Sequence, residues 1–268
     1  MEPNRFAVNL SILFSELDLL ERPEAAKAAG FDAVEFWWPF DRAVPADREI
    51  DEFARAIEDA GVSLVGLNFF AGDMPAGDRG VLSHANRSAE FADNVDVAVG
   101  LGERLGCGAF NALYGNRLAG AAPAAQDAVA TENLVHAAKA LERIGGVVLV
   151  EPVSGTPSYP LKTADDALNV IDQVRAAGEV FNLRLLYDLY HLVVNGDDPD
   201  AVIRRHARMI GHVQIADAPG RNEPGTGHID FQHYFAVLDE HGYSGYVGLE
   251  YKPRHGTCVD SFAWIGRG

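Results

Sequence analysis

Eight short apolar runs, each followed by a segment with helical periodicity, recur along this 268-residue chain. The runs are Phe6–Leu10, Ala33–Trp37, Ser63–Phe69, Ala109–Leu113, Val147–Glu151, Leu183–Asp188, Gly211–Ile215 and Tyr246–Glu250. Most are almost continuously apolar, as expected for parallel strands covered on both faces. The intervening segments carry one apolar stripe each. Ile50, Phe53, Ala54 and Ile57 follow the i, i+3, i+4, i+7 spacing, and Gly61 stops that helix. Phe91, Val95, Ala98, Val99 and Gly102 form a second stripe; Leu134, Ala138 and Leu141 form a third, ended by Gly145 and Gly146. Thr163 with Asp166 resembles a capping box, and Asp198–Pro199 and Asp230–Phe231 read as helix starts. The first helix is short, Pro23–Ala29 with Pro23 at N1. Leu118–Ala130 reads as a loop entering a helix, and Thr257–Gly268 is short for a full eighth helix.

Eight units in 268 residues allot about 33 residues to each, the βα repeat of a parallel α/β protein. An open nucleotide-binding sheet would carry G-x-G-x-x-G after its first strand. None stands there, and the glycines of Gly100–Gly106 fall at the end of a helix, the wrong context. The expectation is a closed (β/α)8 TIM barrel spanning residues 1–268 as one domain.

Charge narrows the partners. Twenty-two Lys+Arg against thirty-nine Asp+Glu give a net charge of −17, which opposes nucleic acid and anionic membrane surfaces. A small anionic substrate is compatible, provided cations stand at its site. The longest stretch free of charged residues, Ala60–Gly72, has 13 residues, short of the roughly 20 that a membrane helix needs. The N-terminal region has no cleavage pattern of a signal peptide. Cys107 and Cys258 are far apart and fit no metal-ligand spacing, so two free thiols in a reducing, cytoplasmic compartment are expected.

Chemistry in such a barrel sits at the C-terminal ends of the strands. Run five ends in Glu151, run six in Asp188 and run eight in Glu250, while run seven carries Gln214. Four consecutive strands thus present an acid or amide at one rim. Three converging carboxylates repel one another and are costly to desolvate without a counter-charge. A divalent cation resolves this, and an all-oxygen ligand set favours Mg²⁺ or Mn²⁺ over Zn²⁺.

Several motifs carry a resemblance. Glu151-Pro-Val, Tyr187-Asp-Leu-Tyr-His191, His212-Val-Gln-Ile-Ala-Asp217, Glu223-Pro-Gly-Thr-Gly227 and Glu250-Tyr-Lys-Pro253 resemble the hydroxypyruvate isomerase family, one of the xylose-isomerase-like barrels. Ala7–Phe14, Val34–Phe40 and Ala71–Gly80 look like the same family, so the likeness spans nearly the whole chain. It implies an aldose–ketose type isomerase that converts hydroxypyruvate to tartronate semialdehyde. It further implies that Glu151, Asp188, Gln214 and Glu250 hold the divalent metal, and that Glu151 and Glu250 also donate and accept the proton. Related ketose 3-epimerases usually have His where this chain has Gln214, which favours the isomerase branch. Other relatives act on four-carbon oxo acids, so a 2-oxo-tetronate isomerase stays open beside a 3-epimerase. An endonuclease IV-type nuclease and a non-catalytic sugar-acid binding protein are weaker alternatives. Barrels of this kind are compatible with a homo-oligomer.

The groups around that rim complete the expectation. His191, placed in a loop beyond strand six, is a candidate hydrogen-bond partner of a substrate oxygen. Arg221, in the loop with Glu223, is a candidate for holding a carboxylate bidentately. Lys252 and Arg79 are further candidate anion partners. His212 faces the same side as Gln214 one layer deeper, either supporting the site or packed in the core. Glu35 reads equally as structural or as orienting other groups, and Phe36–Phe40 as lining the mouth or an interface.

Overall fold

The computed structural model describes residues 5–266. Eight parallel strands close into a barrel in sequence order, β1 (Phe6–Asn9), β2 (Ala33–Phe36), β3 (Ser63–Asn68), β4 (Ala109–Asn111), β5 (Val147–Val150), β6 (Leu183–Asp188), β7 (Ile210–Ile215) and β8 (Val247–Leu249), with β8 returning to pair with β1. The helices are α1 (Arg22–Ala28), α2 (Asp47–Ala60), α3 (Ser88–Leu105), α4 (Pro123–Glu142), α5 (Ala164–Gly178), α6 (Leu189–Asn195), α7 (Pro199–His206) and α8 (Phe231–Glu240). The expected TIM barrel is what the chain forms.

Local chemistry accounts for the element ends. The Thr163 side chain accepts from the Asp166 amide while the Asp166 carboxylate accepts from the Thr163 amide, closing the expected capping box on α5. Asp198 and Asp230 cap α7 and α8, each with Pro or Phe next in the chain. In α3, Gly102 lets the helix approach β4: a Cβ there would stand 2.5 Å from the Phe110 ring. The stripes of α2 to α5 face the barrel, where Phe53, Ala54, Ile57, Phe91, Val95, Leu134, Ala138 and Ile171 are buried.

The structure corrects two details. First, six of the eight strands end earlier than the apolar runs, all but β6 and β7: β4 stops at Asn111, and Glu151 and Glu250 each lie one residue past their strand. Second, His191 is not in a loop. It lies in α6, which begins directly after β6 because the Asp188 carboxylate accepts from the His191 amide and caps that helix. As its length implied, the C-terminal stretch forms only a six-residue 3-10 helix, Asp260–Ile265, and no full α-helix. Its Phe262 packs on Phe31 and Phe14, and its Trp264 on Phe6, so this short piece covers the barrel beside β1. Residues 267–268 of that stretch lie outside the described residues. Cys107 and Cys258 are both buried and free, as expected. Among the described residues no helix is long and apolar enough to cross a membrane.

Candidate active site

The C-terminal rim of the barrel opens into a cavity of about 420 Å³ whose lining includes Trp37, Arg79, Glu151, Ser154, Tyr190, His191, Arg221, Glu250 and Lys252. Six of the eight site residues expected from the sequence therefore line it, Asp188 and Gln214 being the exceptions. Asp188 lies just behind: its free oxygen is 3.7 Å from His191 Nε2, and Glu151 Oε1 is 3.8 Å from the same nitrogen. Glu151, Asp188 and His191 each bring one polar atom within 4.8 Å of the others, and the two carboxylates of this grouping fit a divalent cation. Gln214 is set apart from them, its amide nitrogen 2.7 Å from Glu35 in the barrel interior.

Each carboxylate is held by a donor of its own. Asn111, the last residue of β4, donates to Glu151 Oε2 at 2.6 Å. The Trp37 indole donates to Glu250 Oε1 at 2.5 Å, and Arg221 Nη2 stands 3.1 Å from Glu250 Oε2. Burial raises the Glu151 carboxyl well above the ordinary range, and the charges of Glu250 and Asp188 push it the same way. Burial also lifts Glu250, to about 8, against the pull of Arg221. Burial thus favours protons on these two carboxyls, the response of charges removed from water without full compensation.

His191 is fixed by its neighbours. Burial pushes its pKa down to about 4, so the ring is neutral at pH 7. The Ser154 backbone N–H, a donor that cannot reverse, lies 3.0 Å from Nδ1, and the Ser154 hydroxyl lies 2.7 Å from it. Nδ1 is therefore the acceptor, and the ring proton resides on Nε2, the atom turned toward Glu151 and Asp188. In this tautomer His191 offers a donor to whatever occupies the cavity.

Arg221 owes its position to the loop after β7. The Asp217 carboxylate, 1% exposed, accepts from the backbone N–H groups of Gly225, Gly227 and Ile229 at 2.9, 2.7 and 3.1 Å. The loop winds around that charge, and Gly227 is required because a Cβ would stand 1.9 Å from the Ala218 carbonyl oxygen. Arg221 sits at its turn with φ +55°, its carbonyl accepting from the Lys252 amide at 2.9 Å. Its guanidinium stacks 5.4 Å from the Tyr190 ring, and its Nε–H is buried with no partner. Glu223, by contrast, turns away to accept from the Arg254 amide. The Glu-Pro-Gly-Thr-Gly motif is thus a scaffold for Arg221.

A family model described as a xylose isomerase-like TIM barrel matches residues 23–267. The chain belongs to the xylose isomerase-like TIM barrel family. Within this family it is 53% identical to a Streptomyces coelicolor protein provisionally named a hydroxypyruvate isomerase, over 98% of this chain and 96% of that one. It is 36% identical to the hydroxypyruvate isomerase of Escherichia coli, over 94% of this chain and 95% of the other. To the 2-oxo-tetronate isomerase of Cupriavidus necator it is 35% identical, over 97% of each. A solved structure described as an AP endonuclease, family 2, from Brucella melitensis superimposes with a TM-score of 0.88 at 35% identity, covering 99% of this chain and all of the other.

Four groups that shape this xylose isomerase-like site escaped the sequence reading: Trp37 as a partner of Glu250, Asn111, Ser154 and Asp217. Asn111 had a usable signal, as the one polar residue inside the apolar run Ala109–Leu113. The other three act from loops whose paths only the folded chain defines.

Proposed function

We propose that this protein is a metal-dependent isomerase that interconverts hydroxypyruvate and tartronate semialdehyde. Its relatives make it an isomerase of small hydroxy-oxo acids. The observation that carries the finer reading is the convergence of two buried carboxylates, Glu151 and Glu250, with the partly buried Arg221 on a cavity of about 420 Å³, with the buried Asp188 just behind them.

The residues fit a hard divalent cation. Glu250 Oε2 is buried with no aligned hydrogen bond, its one close charge being Arg221 Nη2 at 3.1 Å, and the acids at the ends of β5, β6 and β8 offer oxygen ligands. Glu151, Asp188, Gln214 and Glu250 would hold Mg²⁺ or Mn²⁺. When bound, such an ion supplies Lewis-acid stabilisation of the charge that develops on the substrate oxygens.

The chain's own groups then have distinct tasks. Hydroxypyruvate must lose a proton from C3, giving an enediolate, and regain one at C2. Glu151 and Glu250, both on the cavity wall, are the pair that accepts and returns the proton. His191 donates through Nε2 to a substrate oxygen. The unpartnered Nε–H of Arg221, with Arg79 and Lys252 on the cavity wall, supplies cations for the carboxylate.

The name of the Brucella structure raises a nuclease as a second reading. A nuclease of this fold requires a basic groove and a larger set of histidine ligands; here the net charge is −17, and the described residues contain a single such metal-ligating group. The four-carbon 2-oxo acid is favoured as an alternative substrate by the Cupriavidus relative.

Proton NMR of hydroxypyruvate with the purified protein in deuterated buffer tests the proposal. With Mg²⁺ the expected product is tartronate semialdehyde, lost on chelation and restored by added metal. Deuterium at the new carbinol carbon reports proton exchange with solvent. Turnover unaffected by chelation refutes the metal dependence. No product with metal present refutes hydroxypyruvate as substrate, and four-carbon oxo acids become the next test.

A further inference from the structure

Glu35 is 2% exposed and lies in the barrel interior, outside the lining of the reacting cavity. A chain of hydrogen bonds with a fixed direction reaches it. The Ser11 backbone N–H donates to Asn9 Oδ1 at 3.0 Å. That contact turns the Asn9 amide so that its Nδ2 donates to Glu35 Oε1 at 3.0 Å. The same oxygen lies 2.7 Å from Gln214 Nε2, and the other, Oε2, lies 2.5 Å from His212 Nε2. Glu35 Oε1 is therefore an acceptor, and the Gln214 amide must turn its nitrogen to it and its carbonyl oxygen the other way.

The space for this arrangement is built in. Gly248 pairs with Gln214 across β7 and β8, and a Cβ on it would stand 2.5 Å from both Glu35 carboxylate oxygens. Gly66 pairs with Glu35 across β2 and β3, and a Cβ there would stand 3.3 Å from Glu35 Cβ. Two strands thus leave out side chains where the carboxylate sits.

An amide ligates a hard cation through its oxygen; its nitrogen lone pair is delocalised and its N–H bonds point the wrong dipole at a positive ion. A free glutamine can present either end. We propose that Glu35 is a positioning residue that locks the Gln214 amide with its oxygen available to the divalent cation. The inference rests on the metal reading above, and it assigns Asn9 as the residue that sets the direction of the lock.

The test is Mn²⁺ affinity, read from the free-ion EPR signal in titrations of the full-length protein. The set is wild type, Glu35→Ala, Glu35→Gln, Gln214→Ala and the Glu35→Ala/Gln214→Ala double variant. Removing a partner of this kind typically weakens metal affinity about 10–100-fold, and that is the loss expected for Glu35→Ala. Glu35→Gln keeps an oxygen that accepts from Asn9 and Gln214, so its affinity stays close to wild type. The double variant is expected to bind no more weakly than Gln214→Ala. If Glu35→Ala causes the same loss with Gln214 already removed, or if Glu35→Gln is as weak as Glu35→Ala, the residue acts through its charge and the proposal fails. If Gln214→Ala leaves affinity unchanged, the amide is not a ligand and the proposal fails. If wild type binds no Mn²⁺, the metal reading itself is overturned, and this inference with it. Should Glu35→Ala not fold, as judged by circular dichroism, Glu35→Met carries the same comparison.

Discussion

Replacing Asp217 by Asn should damage this protein by an amount that can be worked out from three hydrogen bonds. The carboxylate receives the Gly225 and Gly227 amides on Oδ2 and the Ile229 amide on Oδ1, with the side chain 1% exposed. Asparagine has one oxygen and one NH₂. The least costly orientation keeps the oxygen on the two glycines and leaves the Ile229 N–H facing a donor. An unmet buried N–H costs about 1–3 kcal/mol, and each remaining bond loses charge assistance, about 0.5–1 kcal/mol. The sum is about 3 kcal/mol, which for a domain of this size lowers Tm by roughly 6–12 °C. Differential scanning calorimetry at one pH measures it. Activity should fall further than stability, because the same loop holds Arg221 3.1 Å from Glu250. A Tm within about 2 °C of wild type would refute the claim that the carboxylate organises this loop.

Two other outcomes follow from the same site. Burial, with the charge of neighbouring acids, raises the Glu151 and Glu250 carboxyls in the folded protein, Glu250 to about 8. The folded state therefore binds more protons than the unfolded chain between about pH 4.5 and pH 8, and stability of the metal-free protein falls as pH rises through that window. Thermal unfolding of chelated protein should show Tm falling from pH 5 to pH 8 and added Mn²⁺ reversing the loss; a flat profile would count against these shifts. Trp37→Phe removes the indole donor from Glu250 Oε1. The bond is worth about 1.5–3 kcal/mol where its acceptor is charged, so turnover should drop roughly 10–100-fold. An unchanged kcat would show that Trp37 only lines the mouth.

The alternation of apolar runs and helical stripes was enough to reach the barrel, because strands buried on both faces cannot hide their composition and each stripe must find a core to cover. Reading strand ends as a common rim picked out Glu151, Asp188 and Glu250, which the barrel does gather, since strand order fixes which residues share a level, whereas Gln214 lies beside Glu35 in the interior. His191 was found as a residue but misplaced: the side chain that caps α6 is Asp188, itself a site residue, and one carboxylate serving two purposes leaves no separate start signal in the sequence.

What the sequence could not supply is the direction of each polar group. Glu35 and His212 were visible as polar residues in an apolar context, yet their partner Gln214 is 179 positions from Glu35. Trp37 and Glu250 meet across 213 positions. By itself the sequence determined the architecture and the level at which the acids gather, because period and strand order are local properties of the chain. Only the tertiary structure decided which oxygen, nitrogen or proton each group presents. Hydrogen bonding fixes orientation through partners brought together by barrel closure, and those partners have no constant separation along the chain.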